Sequence, residues 1–142
     1  MKLLKSITMC GILMITIGSI AQSKDHKAIN RTITAFSKAG DNNDYNKLND
    51  YLDDNYRIVM NRLFGSKEVS IMPKSVYLEK IKSKEFGGDK RKLYIEDPII
   101  NGATAVVKVT FNGKKMKTVS LITLVKNQNG QWKLVSDVPI VI

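Results

Sequence analysis

The sequence predicts an α+β domain in which N-terminal helices pack on one face of a curved antiparallel sheet. Two observations carry this. Apolar residues in the first half recur at helical spacing, whereas the last third alternates with a period of two. Three Asn-Gly pairs, at 101–102, 112–113 and 129–130, punctuate that last third. Asn-Gly tolerates the positive φ of tight hairpin turns, so the strand-like runs between the pairs form a meander. Helices first and hairpin-linked strands afterwards is an α+β order.

The chain opens with "MKLLKSITMCGILMITIGSIA". Two lysines, an apolar run from Ile7 to Ile17 and the small residues before Gln22 predict a signal peptide over 1–21, cut between Ala21 and Gln22. The run is shorter than the roughly 20 residues that span a bilayer, so no stable membrane anchor is expected. Cys10 lies inside the run rather than after it, which argues against lipid attachment. Residues 22–142 then form one exported domain, periplasmic or secreted, that relies on its core because no cysteine is left.

Without Lys2 and Lys5, 21 Lys and Arg face 13 Asp and Glu, a net charge of +8. The cations cluster at 80–84, 90–92 and 114–117. A nucleic-acid surface would interleave aromatics with them on one face; Phe86 and Tyr94 are near, but there is no aromatic-studded basic strand, and the leader directs the chain away from nucleic acid, so none is expected. The clusters read as a solvated face or as contact with an anionic surface.

Each element follows from its pattern. Residues 22–27 are polar and read as loose, with Asp25 as the first cap. Ile29, Thr32, Ile33, Phe36 and Ala39 make one helical stripe, stopped by Gly40. Asp44 caps a second, short helix with Leu48, Tyr51 and Leu52, ended by 53–55. Tyr56, Ile58 and Met60 share one face of a strand. Pro73 starts a third helix, whose buried side is Val76, Tyr77, Leu78 and Ile81. Strands are then expected over 93–100, 104–111, 116–126 and 132–138. In the third of these, Val119, Leu121 and Val125 oppose Ile122 and Leu124, so both faces are apolar. The helices cover only one face. The other predicts a homodimer packed sheet to sheet.

"FSKAGDNNDYNKLNDYLDDNY" and "TVSLITLVKNQNGQWKLV" resemble the opening helices and closing strands of the nuclear transport factor 2-like superfamily, also called cystatin-like or ketosteroid isomerase-like. Within it the chain is most similar to small exported bacterial proteins classed as "putative lumazine-binding". The resemblance spans residues 25–138. It implies a cone with a pocket between sheet and helices, and often a dimer through the outer sheet face. It implies no single activity.

The family's isomerases use a carboxylate on the strand after the second helix and a partner acid on a late strand. The corresponding stretches here, "YRIVMNRL" and Ser120-Leu121-Ile122-Thr123, hold neither. Its dehydratases use a His, and His26 is the only one here, expected as a solvated residue near the N-terminus. No metal-ligand cluster, nucleophile triad or phosphate loop is present, and no cofactor is called for. Asp97 is the one weak catalytic candidate. It faces a pocket if its strand stays regular, and a rim turn if Pro98 ends the pleat. Tyr56, Tyr77 and Trp132 are candidates for pocket lining or for plain core. The sequence therefore favours a non-catalytic module whose apolar pocket holds a small ligand, or an interaction scaffold. The alternative is a cofactor-independent isomerase or dehydratase doing proton transfer in that pocket.

Overall fold

In the computed structural model, the described residues are 12–142 for the backbone and 21–142 for the side chains. Lys2, Lys5 and Cys10 lie outside them. Helix α1 (Ile12–Asp41) is followed by α2 (Tyr45–Asp50), strand β1 (Leu52–Asn61), a 3-10 turn (Leu63–Gly65), β2 (Val69–Pro73) and α3 (Lys74–Lys82). Then come β3 (Lys92–Ile95), β4 (Ile99–Asn101), β5 (Thr104–Asn112), β6 (Lys117–Lys126) and β7 (Trp132–Val141).

The stripe on α1 is buried as its spacing requires: Ile29, Ile33, Phe36 and Ala39 are each at most 4% exposed. Each large member contributes roughly 2 kcal/mol by leaving water. The helix begins earlier than expected. Residues 22–27 are helical, and Asp25 lies inside α1 instead of capping it. The reason is tertiary. The Asp25 carboxylate pairs with the Lys126 ammonium at 2.7 Å and accepts the Trp132 indole N–H at 3.1 Å. The hydrogen bond from Lys126 holds the Asp25 carboxyl below its usual range. These bonds tie α1 to the β6–β7 hairpin. His26 is half-buried on the same helix, with its Nε2 buried and unpartnered, not solvated as the sequence suggested. Ala21 and Gln22 are exposed on α1, which runs unbroken through them. Among the described residues no helix is long and apolar enough to cross a membrane.

Asp44 caps α2 as expected, accepting the Lys47 N–H at 3.2 Å. Leu52 already belongs to β1. On α3, Tyr77, Leu78 and Ile81 are buried, but Val76 falls beyond that face and is 39% exposed. Strand β2 was not anticipated. It is an edge strand whose Val69 and Ile71 are exposed, so no clean alternation marks it.

The sheet order is β2-β1-β7-β6-β5-β3, with β4 also on β5. Neighbours are antiparallel except β1 and β7, which run parallel, so the sheet is mixed where a purely antiparallel one was expected. The expected strand over 93–100 is split. Pro98 cannot donate to the ladder, and β3 and β4 pair with different parts of β5 on either side of it. The two faces of β6 divide as predicted: Ile122 and Leu124 are fully buried, whereas Leu121 is 51% exposed.

One irregularity sets which side chains of the last strand reach the interior. Along β7, Trp132 and Leu134 point into the core. Leu134 pairs with Leu124, but Ser136 pairs with Thr123, so Val135 is an extra residue. This bulge switches the parity of the strand. Asp137, Pro139 and Val141 take the inner face, and Ile140 turns outward, 51% exposed.

Candidate functional site

Sheet and helices diverge at one end, leaving a cavity of about 270 Å³. Its walls are apolar. Phe36 comes from α1, Ile81 from α3, Met72 from β2 and Phe111 from β5, and Phe86 follows α3. The sequence brings Phe86 in through a turn of two glycines. Gly87 has φ +78, and its Cα abuts the Gly40 carbonyl so closely that a Cβ would collide with it. The Asn43 amide locks the same corner, donating to the Ile81 and Phe86 carbonyls at 3.0 and 2.6 Å.

The floor is polar: Tyr77, Ser120 and Asp137 line it. Asp137 is 8% exposed, and its Oδ1 is buried without a hydrogen-bond partner. Burial pushes this carboxyl up to about 6, against the opposing pull of a Ser120 hydrogen bond and the Arg91 charge. The rings of Tyr56 and Tyr77 form a tilted pair, with centroids 5.6 Å apart and planes at 48°. The Tyr56 hydroxyl is also buried and unpartnered. Burial pushes both phenols well up, and the Asp137 charge adds to this.

Arg91 supplies a fixed positive charge on the wall. Its Nε donates to Asp41 Oδ1 at 2.5 Å and its Nη2 to the Ser37 carbonyl at 3.1 Å. Its backbone N–H reaches the other Asp41 oxygen at 3.1 Å, and the guanidinium lies 4.9 Å from the Phe111 ring centre. Three contacts leave the guanidinium little freedom to follow a ligand.

Of the residues singled out from sequence, Tyr77 lines the cavity and Tyr56 packs against it just outside the lining. Trp132 lies elsewhere, buried under Lys126 and bonded to Asp25. Asp97 is exposed in the break between β3 and β4 and does not line the cavity. Asp137 and Arg91 were missed. Counting by twos from Trp132 places Asp137 on the outer face. The available clue was Pro139, since proline inside a strand signals irregular pairing. Among the described residues no three His, Cys, Asp or Glu side chains stand close enough to share a metal ion.

The site can therefore enclose an apolar body and meet it with one buried carboxyl. Residues 24–138 match the family described as "Putative lumazine-binding". The chain belongs to this family. No curated protein matches the sequence. Solved structures share the fold at low identity. An NTF2-like protein of unknown function from Shewanella baltica has a TM-score of 0.73 at 16% identity, over 84% of this chain and 95% of that one. One from Silicibacter pomeroyi gives 0.73 and 16%, over 84% and 98%. A ketosteroid isomerase-like protein from Erwinia carotovora gives 0.65 and 16%, over 83% and 96%. These likenesses show the fold, the nuclear transport factor 2-like cone that the sequence resembled.

Proposed function

We propose that this is an exported binding module whose cavity holds a small, flat, largely apolar ligand presenting an N–H or O–H donor to Asp137. The observation that carries this is the unpartnered Asp137 Oδ1 at the floor of an apolar cavity. A buried polar atom left without a partner costs about 1–3 kcal/mol, which a complementary ligand recovers. Phe36, Phe86, Phe111 and Tyr77 around it favour a ring system. A lumazine is a planar bicyclic compound with ring N–H and carbonyl groups, so the family's description suits this chemistry. The leader read from the sequence supports export. The outer sheet face, with Leu121, Ile140, Val106 and Tyr94 exposed, supports a homodimer packed sheet to sheet.

Fluorescence titration tests the pocket, with anilinonaphthalene sulfonate as a general apolar probe and lumazine as the family's own. Both should bind, Asp137→Ala should weaken lumazine at least tenfold, and Met60→Trp should fill the cavity and abolish both. Equal binding by Met60→Trp would refute the site.

A second reading rests on the same carboxyl. A buried base near pH 6 beside Tyr77 suits proton transfer next to a carbonyl, with the phenol donating to the developing oxyanion. This is the isomerase or dehydratase alternative. Turnover of a β,γ-unsaturated ketone, abolished by Asp137→Asn, would favour it over binding alone.

A further inference from the structure

The cavity opens between three segments at one end of the sheet. Parallel pairing of Ile58 with Asp137 brings the end of β1, and the turn after it, beside the end of β7. The Ile142 N–H donates to the Lys117 carbonyl at 3.0 Å, which sets the β5–β6 turn next to both. All three present apolar side chains to solvent: Phe64 is 77% exposed, Met116 44%, Val141 44% and Ile142 60%. Phe64, Met116 and Val141 also line the cavity, so they form its rim.

Phe64 is held there against its conformational preference. It has φ 56, Arg62 has φ 55 and Gly65 has φ 83, so three residues of one turn are left-handed. Bulky side chains seldom adopt that region. The turn leaves a large apolar ring mostly exposed at the mouth of the open cavity.

Cations surround the rim. Arg62 lies in the same turn as Phe64, Lys114 and Lys115 sit on the β5–β6 connection, and Lys117 opens β6. The acids of this end are Glu68, Glu85 and Asp89. Glu85 is paired with Lys80 at 2.5 Å. Asp89 accepts the backbone N–H groups of Lys90, Lys114 and Lys115 at 2.8, 3.2 and 3.0 Å. The Lys115 ammonium reaches back to the Gly87 carbonyl at 3.4 Å and its charge acts on Asp89, whereas the exposed Lys114 and Lys117 have no ion-pair partner among the described residues. Exposed apolar side chains ringed by Lys and Arg are the chemistry of insertion into an anionic lipid interface.

We propose that this rim docks the cavity mouth onto an anionic bilayer, with Phe64 and Met116 entering the acyl boundary and Arg62, Lys114, Lys115 and Lys117 meeting the headgroups. The docking stands on the rim alone and holds whichever ligand the cavity takes. It places the mouth where an apolar ligand passes between membrane and protein without crossing water.

Vesicle sedimentation tests it, with the protein as isolated and vesicles of phosphatidylcholine alone or mixed with phosphatidylglycerol. The protein should sediment with the mixed vesicles and at least tenfold more weakly with phosphatidylcholine. Phe64→Asp with Met116→Asp should cut binding to mixed vesicles at least tenfold, and so should Lys114→Glu with Lys115→Glu. These side chains are exposed, so circular dichroism and the melting temperature should be unchanged. Val76→Asp, exposed on α3 and outside the cavity lining, should leave vesicle binding intact. No binding by the parent protein overturns the proposal. So does full binding by Phe64→Asp with Met116→Asp, or an equal loss in Val76→Asp. If Phe64→Asp halves the mass in light scattering, the rim joins two copies and the proposal also fails.

Discussion

Replacing Asp137 by Asn should stabilise the protein at neutral pH. The side chain keeps its shape and its acceptor oxygen but loses the charge. The Asp137 carboxyl titrates near 6 in the folded chain and at 3.8 in the unfolded one. Between those two values the folded state keeps a proton that the unfolded state has released, so stability falls as pH rises through that window. Above it the cost is constant. The two pKa values differ by about two pH units, worth about 1.4 kcal/mol each, so holding the carboxylate costs about 3 kcal/mol. At pH 7.5 the Asn variant should therefore gain up to about 3 kcal/mol, or roughly 10 °C in melting temperature. At pH 3.5 both side chains are neutral and the two proteins should melt within about 2 °C of each other. Urea unfolding and thermal scans from pH 3.5 to 8 measure this. If the Asn variant is less stable at pH 7.5, or if its advantage does not shrink between pH 6 and 4, the carboxyl is not held as described. The same variant should lose ligand affinity, a trade of function for stability that buried polar sites commonly show.

Three further outcomes are expected. Leu121→Lys should convert a dimer of about twice the chain mass into a folded monomer by light scattering, because the ammonium would be buried unpaired only in the assembly; a parent protein that is monomeric at high concentration would remove the sheet-to-sheet dimer. Gly87→Ala should cost more than about 2 kcal/mol in urea unfolding, combining a left-handed φ with a collision at the Gly40 carbonyl, whereas Gly130→Ala, with open space around it, should cost only about 1 kcal/mol. N-terminal sequencing of exported material should begin at Gln22; a start at Met1 or at a lipid-modified Cys10 would overturn the leader reading.

Much of the fold was legible because its signals are local. The stripe from Ile29 to Ala39, the Asp44 cap and the alternation of Ala105, Val107, Val109 and Phe111 each report on one element, and the structure buries them accordingly. Asn101-Gly102 and Asn129-Gly130 mark turns in which the glycine has positive φ. What escaped depends on pairing between distant segments. The Asp25 carboxylate looks like a cap until Lys126 and Trp132 arrive from a hundred residues away. The parallel contact of β1 with β7 leaves no mark in either strand. The candidate site suffered most, since Arg91 owes its position to Asp41 and Asp137 owes its face to a single unpaired residue.

That unpaired residue makes position along β7 a poor guide to role. The straight alternative would turn Val138 and Ile140 inward and release Asp137 to solvent, which hydrophobic patterning alone would favour. The fold instead keeps the carboxyl inside and an isoleucine out. A family member lacking the equivalent of Val135 would carry its inward acid two residues after Leu134, not three, on the same face of the same strand. Matching the two chains column by column would then pair this acid with an outward residue and report the site as lost. Within this family, equivalence of pocket residues has to be judged by the sheet face they occupy, with the extra residue counted out first.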